Sequence, residues 1–182
     1  MQQETKANHI SQSSKCFQTV MNSETRIKVL FVCMGNICRS PMAHGVFRQL
    51  VRDEGLSEYI EIDSAGTHGY HLDEPPDRRA ILTAGRRGVE IDDLRARRAE
   101  PQDFHYFDYI LAMDQENYLG LSAICPRGLE RKLMLFMDFA PELRTREVPD
   151  PYYGGPSGFE TVFDMIDVAA KGLLAHLRKR HV

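Results

Sequence analysis

The chain has 182 residues, 27% of them charged and 42% hydrophobic, with a formal net charge of -3, four cysteines and no tryptophan. Its length favours a single domain of the usual ~100–200 residues, and the composition excludes wholesale disorder. The near-neutral charge argues against a nucleic-acid partner, no apolar run approaches the ~20 residues of a membrane span, and so few cysteines point to a reducing, cytoplasmic setting.

Residues 1–25 are polar, with only Ile10, Phe17, Val20 and Met21 as sizeable apolar side chains. Such a segment cannot bury enough surface to offset its ordering entropy, so a flexible tail is expected. It has no secretory apolar block, no arginine and no amphipathic stripe, and Met21 also permits translation to begin there. The folded domain is expected over 26–182. Residues 27–32 form a β-branched, nearly continuous apolar run, as in a buried parallel strand. After a loop, Ser40 reads as an N-cap and Pro41 as the first helical residue. Met42, Val46, Phe47, Leu50 and Val51 follow at helical spacing, and Gly55 supplies the stop.

A second strand alternates over 59–64, and a loop through Pro75 and Pro76 leads to a helix over 77–87. Residues 107–113 read as a third strand, 114–121 as a short helix and 132–137 as a fourth strand. Residues 150–156 carry two prolines and two glycines, which exclude helix or central strand. Over 159–180, Phe159, Val162, Phe163, Ile166, Ala170, Leu173, Leu174 and Leu177 mark one amphipathic stripe. Strand–helix alternation of this kind implies an α/β sandwich, a parallel sheet with helices on both faces and right-handed crossovers. Neither a repeat nor a second domain is visible.

In that architecture ligands gather at the carboxyl ends of strands. The first strand ends at Val32 and is followed by Cys33, Met34, Gly35, Asn36, Ile37, Cys38, Arg39, Ser40 and Pro41. Successive backbone N–H groups in a tight loop form an anion-binding concavity, which Gly35 has the freedom to close. The following helix adds its positive dipole end, and the planar fork of Arg39 can chelate two phosphate oxygens. Such a field favours the thiolate of Cys33, the nucleophilic form of a cysteine. Ser40 can add a hydroxyl hydrogen bond to it and help the sulfur depart from a phosphorylated intermediate. A cysteine at a strand end is often only a small buried hydrophobe, but this placement favours catalysis.

Residues 32–41, together with Asp150-Pro151-Tyr152-Tyr153, resemble the low-molecular-weight protein tyrosine phosphatases, and the similarity runs from about residue 27 to residue 177. The resemblance implies a four-stranded parallel sheet, a phosphate-binding loop after the first strand, hydrolysis of phosphotyrosine proteins and aryl phosphates through phosphocysteine, and no metal or other cofactor. Expulsion of a phenolate needs a proton donor, for which Asp150 is the candidate, although Asp-Pro-x-x-Gly is also an ordinary turn. In the resembled family the matching aspartate donates the proton and then activates water. Tyr152 and Tyr153 would form an aromatic wall for the substrate ring. Tyr70 is similar in placement to an aromatic on the opposite wall in the family. Asn36 either fixes the loop by side-chain hydrogen bonds or tolerates a left-handed turn. Cys38 is close enough to Cys33 to capture it as a disulfide after oxidation.

His68, His71, Asp73 and Glu74 lie on one loop without fixed metal-ligand geometry, and are expected to rim the pocket instead. Arg95, Arg97 and Arg98 read as a solvated basic face. The chain departs from the family pattern near Leu94, where many members carry a histidine that supports the phosphate loop. Two other readings compete. An arsenate reductase of the same fold needs two further relay cysteines, whereas beyond the loop only Cys125 lies in the folded region. A non-catalytic phosphotyrosine-binding module needs neither Cys33 nor Asp150.

Overall fold

The computed structural model describes residues 26–181; the expected tail over 1–25 lies outside the described residues. A four-stranded sheet in the order β2-β1-β3-β4 is formed by β1 (Ile27–Cys33), β2 (Ile60–Gly66), β3 (Tyr109–Ala112) and β4 (Leu133–Leu135). Every pairing is parallel, with Val29 opposite both Ile62 and Tyr109. Among the described residues five α-helices accompany it: α1 (Arg39–Asp53), α2 (Arg78–Arg86), α3 (Pro101–Tyr106), α4 (Gln115–Ile124) and α5 (Pro156–His181). The α/β class, the parallel sheet and the helices on both faces are as the sequence predicted.

The side-chain period of two along β1 divides the interior. Val29, Phe31 and Cys33 face one core, built with Phe47 of α1 and Ile166, Ala170, Leu173 and Leu177 of α5. Leu30 and Val32 face the other, with Phe104 of α3 and Leu121 of α4. Phe31 meets Phe47 and Phe136 edge-to-face, at centroid distances of 5.7 and 5.1 Å. The strand parity therefore delivers the Cys33 side chain to the α1 side of the sheet, which is where α1 begins. Gly55, at φ 69°, ends α1, and the Leu56 N–H closes on the Val51 carbonyl at 2.9 Å. Gly172 lets α5 lie directly on the 3₁₀ turn Phe136–Phe139, since a Cβ there would overlap the Phe139 carbonyl.

Three local expectations are corrected. Helix α1 starts at Arg39 with Cys38 in the cap position, and no side chain caps it. Ser40 does not serve as N-cap because its hydroxyl is engaged beneath the preceding loop. The fourth strand keeps only Leu133–Leu135, since β3 offers it three partners, and the chain then turns into 3₁₀ geometry. Helix α3 was absent from the sequence reading; Pro101 opens it, and Asp103 accepts from the Glu100 N–H at 2.8 Å.

His44 of α1 is 7% exposed and its Nδ1 has no partner among the described residues. Burial, with help from Arg48 and against Asp63 and Asp93, holds its pKa down at about 4 from 6.5. The unfolded chain therefore binds this proton first. His44 leaves stability intact above pH 6.5 and withdraws about 3 kcal/mol by pH 4. The His44→Leu variant should lose less stability than the parent between pH 7 and pH 4, by that amount, in urea melts at both pH values. A gap between the two proteins that does not change with pH would contradict this.

Candidate active site

The loop after β1 is held from outside. Its carbonyls at Cys33, Met34, Ile37 and Cys38 accept from the N–H groups of Thr67 (2.9 Å), His68 (3.0 Å), Asp77 (2.7 Å) and Met42 (3.3 Å). In a planar trans peptide each carbonyl opposes the next residue's N–H. The N–H groups of Met34, Gly35, Cys38 and Arg39 are therefore turned away from these partners. With no side-chain cap on α1, the helix terminus adds its own donors to the same concavity.

Cys33 is 2% exposed. Its Sγ accepts from the Asn36 N–H at 3.3 Å and lies 3.1 Å from Ser40 Oγ. Asn36 adopts the left-handed conformation at φ 56°. Its Nδ2 donates to Ser40 Oγ (2.8 Å) and Ser64 Oγ (3.0 Å), while its Oδ1 accepts from the Arg97 N–H (3.0 Å). Both expectations for Asn36 thus hold together, as a turn residue fixed by its own side chain. Gly35 is not the residue with positive φ. Its lack of a side chain admits His71 instead, whose Cδ2 would stand 3.2 Å from a Cβ. Gly66, at the end of β2, is the tighter point: a Cβ there would lie 2.7 Å from the Met34 carbonyl oxygen.

Arg39 is 2% exposed and reaches across the sheet's carboxyl end. Its Nη1 donates to Asp114 (2.5 Å) and to the Val148 carbonyl (3.0 Å), and its Nη2 to Asp150 (3.3 Å). Burial disfavours its charge, but Cys33, Asp114 and Asp150 outweigh this and hold its pKa above the ordinary range. Asp114 caps α4 through the Asn117 N–H at 2.7 Å. Sequence reasoning missed Asp114 as a partner of Arg39; its place just beyond β3's carboxyl end was the available signal. The Asp150 Oδ1 accepts from the Tyr152 N–H at 3.0 Å, which aims the carboxylate.

These groups meet in a cleft of about 210 Å³ lined by Cys33, Met34, Gly35, Ile37, Cys38, Arg39, Tyr70, His71, Asp150, Tyr152 and Tyr153. Asn36 and Ser40 lie buried beneath it. Tyr70 is stacked on His68 at 5.2 Å, and Tyr152 meets Tyr153 edge-to-face at 5.0 Å. All three rings are exposed, whereas Cys33, Cys38 and Arg39 are buried, so aromatic side chains form the outer part of the cleft. His71 pairs with Glu74 at 2.7 Å, and His68 with Thr67 Oγ1 at 2.9 Å. Cys38 is a free, buried thiol; burial first, then Asp77, Cys33 and Asp150, push its pKa far up. Cys125 packs with the core on the opposite face of the sheet from Cys33.

Arg97 is not the solvated cation the sequence suggested. Its side chain clamps Asp63 (2.9 Å) and both oxygens of Asp103 (3.1 Å each), holding the backbone that donates to Asn36. Leu94 packs against the core, so the support expected from a histidine there is supplied by the Arg97 N–H and Ser64.

A family model described as low molecular weight phosphotyrosine protein phosphatase matches residues 28–182. The Bacillus subtilis low molecular weight protein-tyrosine-phosphatase YfkJ is 40% identical over 84% of this chain and 97% of its own. A human low molecular weight phosphotyrosine protein phosphatase is 39% identical over 88% of this chain and all of its own, 100%. Among solved structures, a protein tyrosine phosphatase from Entamoeba histolytica with Hepes in its active site superposes with a TM-score of 0.82 at 40% identity, covering 86% of this chain and 99% of that one.

Proposed function

The chain belongs to the low molecular weight phosphotyrosine protein phosphatase family, and on that premise we propose that it hydrolyses phosphotyrosine in proteins through a phosphocysteine on Cys33. The phosphate sits on the loop N–H groups and the guanidinium of Arg39, which neutralise its charge. The Cys33 thiolate attacks phosphorus in line with the phenolic oxygen, whose bond to phosphorus breaks. Asp150 gives its proton to that oxygen, then takes one from the water that cleaves the phosphorus–sulfur bond and releases phosphate. Ser40 and the Asn36 N–H stabilise the thiolate as leaving group. Met34, Gly35, Ile37 and Cys38 shape the phosphate site, while Tyr70, Tyr152 and Tyr153 flank the substrate ring. Neither a metal nor another cofactor takes part in this scheme.

The observation that carries the proposal is the junction of Asp150 with Arg39 beside Cys33, which brings acid, clamp and nucleophile into one cleft. A pure phosphotyrosine-binding module would need no such acid. A disulfide relay to Cys125, as arsenate reduction requires, would have to cross the sheet. Residues 26–182 act as a single catalytic domain. Among the described residues no helix is long and apolar enough to cross a membrane. A reducing cytoplasm suits a thiolate enzyme, and Cys38 is the resolving thiol that would make peroxide inactivation reversible.

The acid is tested by Asp150→Asn with a chelator present throughout. Its kcat/KM on phosphotyrosine should fall by about 10²–10⁴, and much less on aryl phosphates whose phenols are more acidic. An equal loss on every substrate would remove Asp150 from the role of acid.

A further inference from the structure

We propose that Arg79 is a positioning residue that holds the Asp150 loop at its working height over the phosphate loop; this rests on the assignment of Asp150 as the acid. Arg79 stands in the first turn of α2, outside the residues that line the cleft. Its Nε and Nη2 grip the two carboxylate oxygens of Asp77 at 3.0 and 2.8 Å. Asp77 in turn accepts from the Arg79 N–H at 2.8 Å and donates its own N–H to the Ile37 carbonyl at 2.7 Å. One end of this assembly is therefore fixed to the phosphate loop itself.

The other end reaches the acid. Arg79 Nη1 donates to the Tyr152 carbonyl at 3.1 Å, while the N–H of the same Tyr152 donates to Asp150 at 3.0 Å. The guanidinium also lies over the rings of Tyr152 (5.1 Å) and Phe159 (4.8 Å). A bond path thus runs from Ile37 through Asp77, Arg79 and Tyr152 to the catalytic carboxylate. The segment it holds needs a tether: Gly154 and Gly155 follow Tyr153, and Tyr152 to Gly155 are exposed. The fork of Arg79 is occupied by Asp77 and Tyr152, which leaves it poorly disposed to bind substrate. Exposed ion pairs add little stability, so the contribution of this one lies in geometry. Misplacing a reacting group by about 1 Å can cost ~10²-fold in rate.

The test compares kcat/KM across aryl monophosphates, from phenyl phosphate, whose phenol has a pKa near ~10, to nitrophenyl phosphate. Arg79→Ala should lose about tenfold on phenyl phosphate and less than about twofold on nitrophenyl phosphate. Inhibition by inorganic phosphate should stay within about twofold, because the phosphate loop is untouched. Arg79→Lys, whose single ammonium cannot span Asp77 and Tyr152 as the fork does, should fall between. A uniform loss across the series, a change confined to phosphate inhibition, or no change in either variant would overturn the proposal. If Arg79→Ala fails to fold in urea melts, Arg79→Lys decides the matter on the same series. Asp150→Asn runs beside them: if it leaves the leaving-group dependence unaltered, the acid assignment itself fails, and the role of Arg79 with it.

Discussion

Replacing Cys33 by serine should reduce kcat on phosphotyrosine by roughly 10⁴–10⁶ while leaving inorganic phosphate bound as tightly as before, or more tightly. Sulfur is the far stronger nucleophile and a serine hydroxyl a weak one, so the variant keeps the site and loses the proposed nucleophile. The two groups beside the sulfur, the donating Asn36 N–H and the Ser40 hydroxyl, remain in place to bond the smaller oxygen. The N–H groups proposed to hold phosphate belong to the backbone, which the outward bonds of Cys33, Met34, Ile37 and Cys38 fix independently of the side chain. A serine hydroxyl, uncharged at neutral pH, also brings no repulsion of the phosphate. Steady-state kinetics and phosphate titration by calorimetry read the two halves separately. Activity within tenfold of the parent would rule out a phosphocysteine on this residue.

Arg39→Lys should cost about 10²–10³ in kcat/KM, although charge is conserved. The loss follows from shape: a guanidinium presents two parallel donors to phosphate and still bonds its neighbours, whereas an ammonium is a point charge on a flexible stem. Arg39→Ala removes the clamp altogether and strands the groups it satisfies. The Val148 carbonyl loses a donor, and Asp114, whose side chain is only 20% exposed, loses its cation. Breaking a buried pair from one side costs about 3–5 kcal/mol. The alanine variant should therefore melt at clearly lower urea, while the lysine variant should retain most stability yet little activity. A lysine variant as active as the parent would show that two-oxygen chelation is not required.

The strand over 27–33, the loop after it and the long C-terminal helix were legible because each is written in consecutive residues: a β-branched run, a glycine-and-cysteine turn, a stripe of period 3.6. Asp150 was legible as a candidate through its proline and glycines, but only the structure brings it to Arg39. Asp114 could be read as a helix cap and not as the partner of Arg39, since 75 residues separate them and no spacing encodes a contact of that kind. Arg97 is hidden for another reason. The group that bonds Asn36 is its backbone N–H, which every residue but proline carries, so residue type does not reveal that bond. Ser40 had the right identity for a cap but stronger partners within the fold. Leu94 shows the same limit in reverse, because replacing a side chain does not reveal which backbone group takes over its bond.

The reach of Arg39 also has a consequence in time. Its partners Asp114 and Asp150 lie 75 and 111 positions further along the chain. Cys33 and its loop are made before Asp150, and α5, which completes the core behind the loop, follows both. Contacts of such long range close late in folding because they carry the largest loop-closure entropy. A chain made only as far as α4 therefore carries Cys33 without Asp150 and without a fully seated Arg39, and the candidate site is assembled only when the Asp150 segment has joined it.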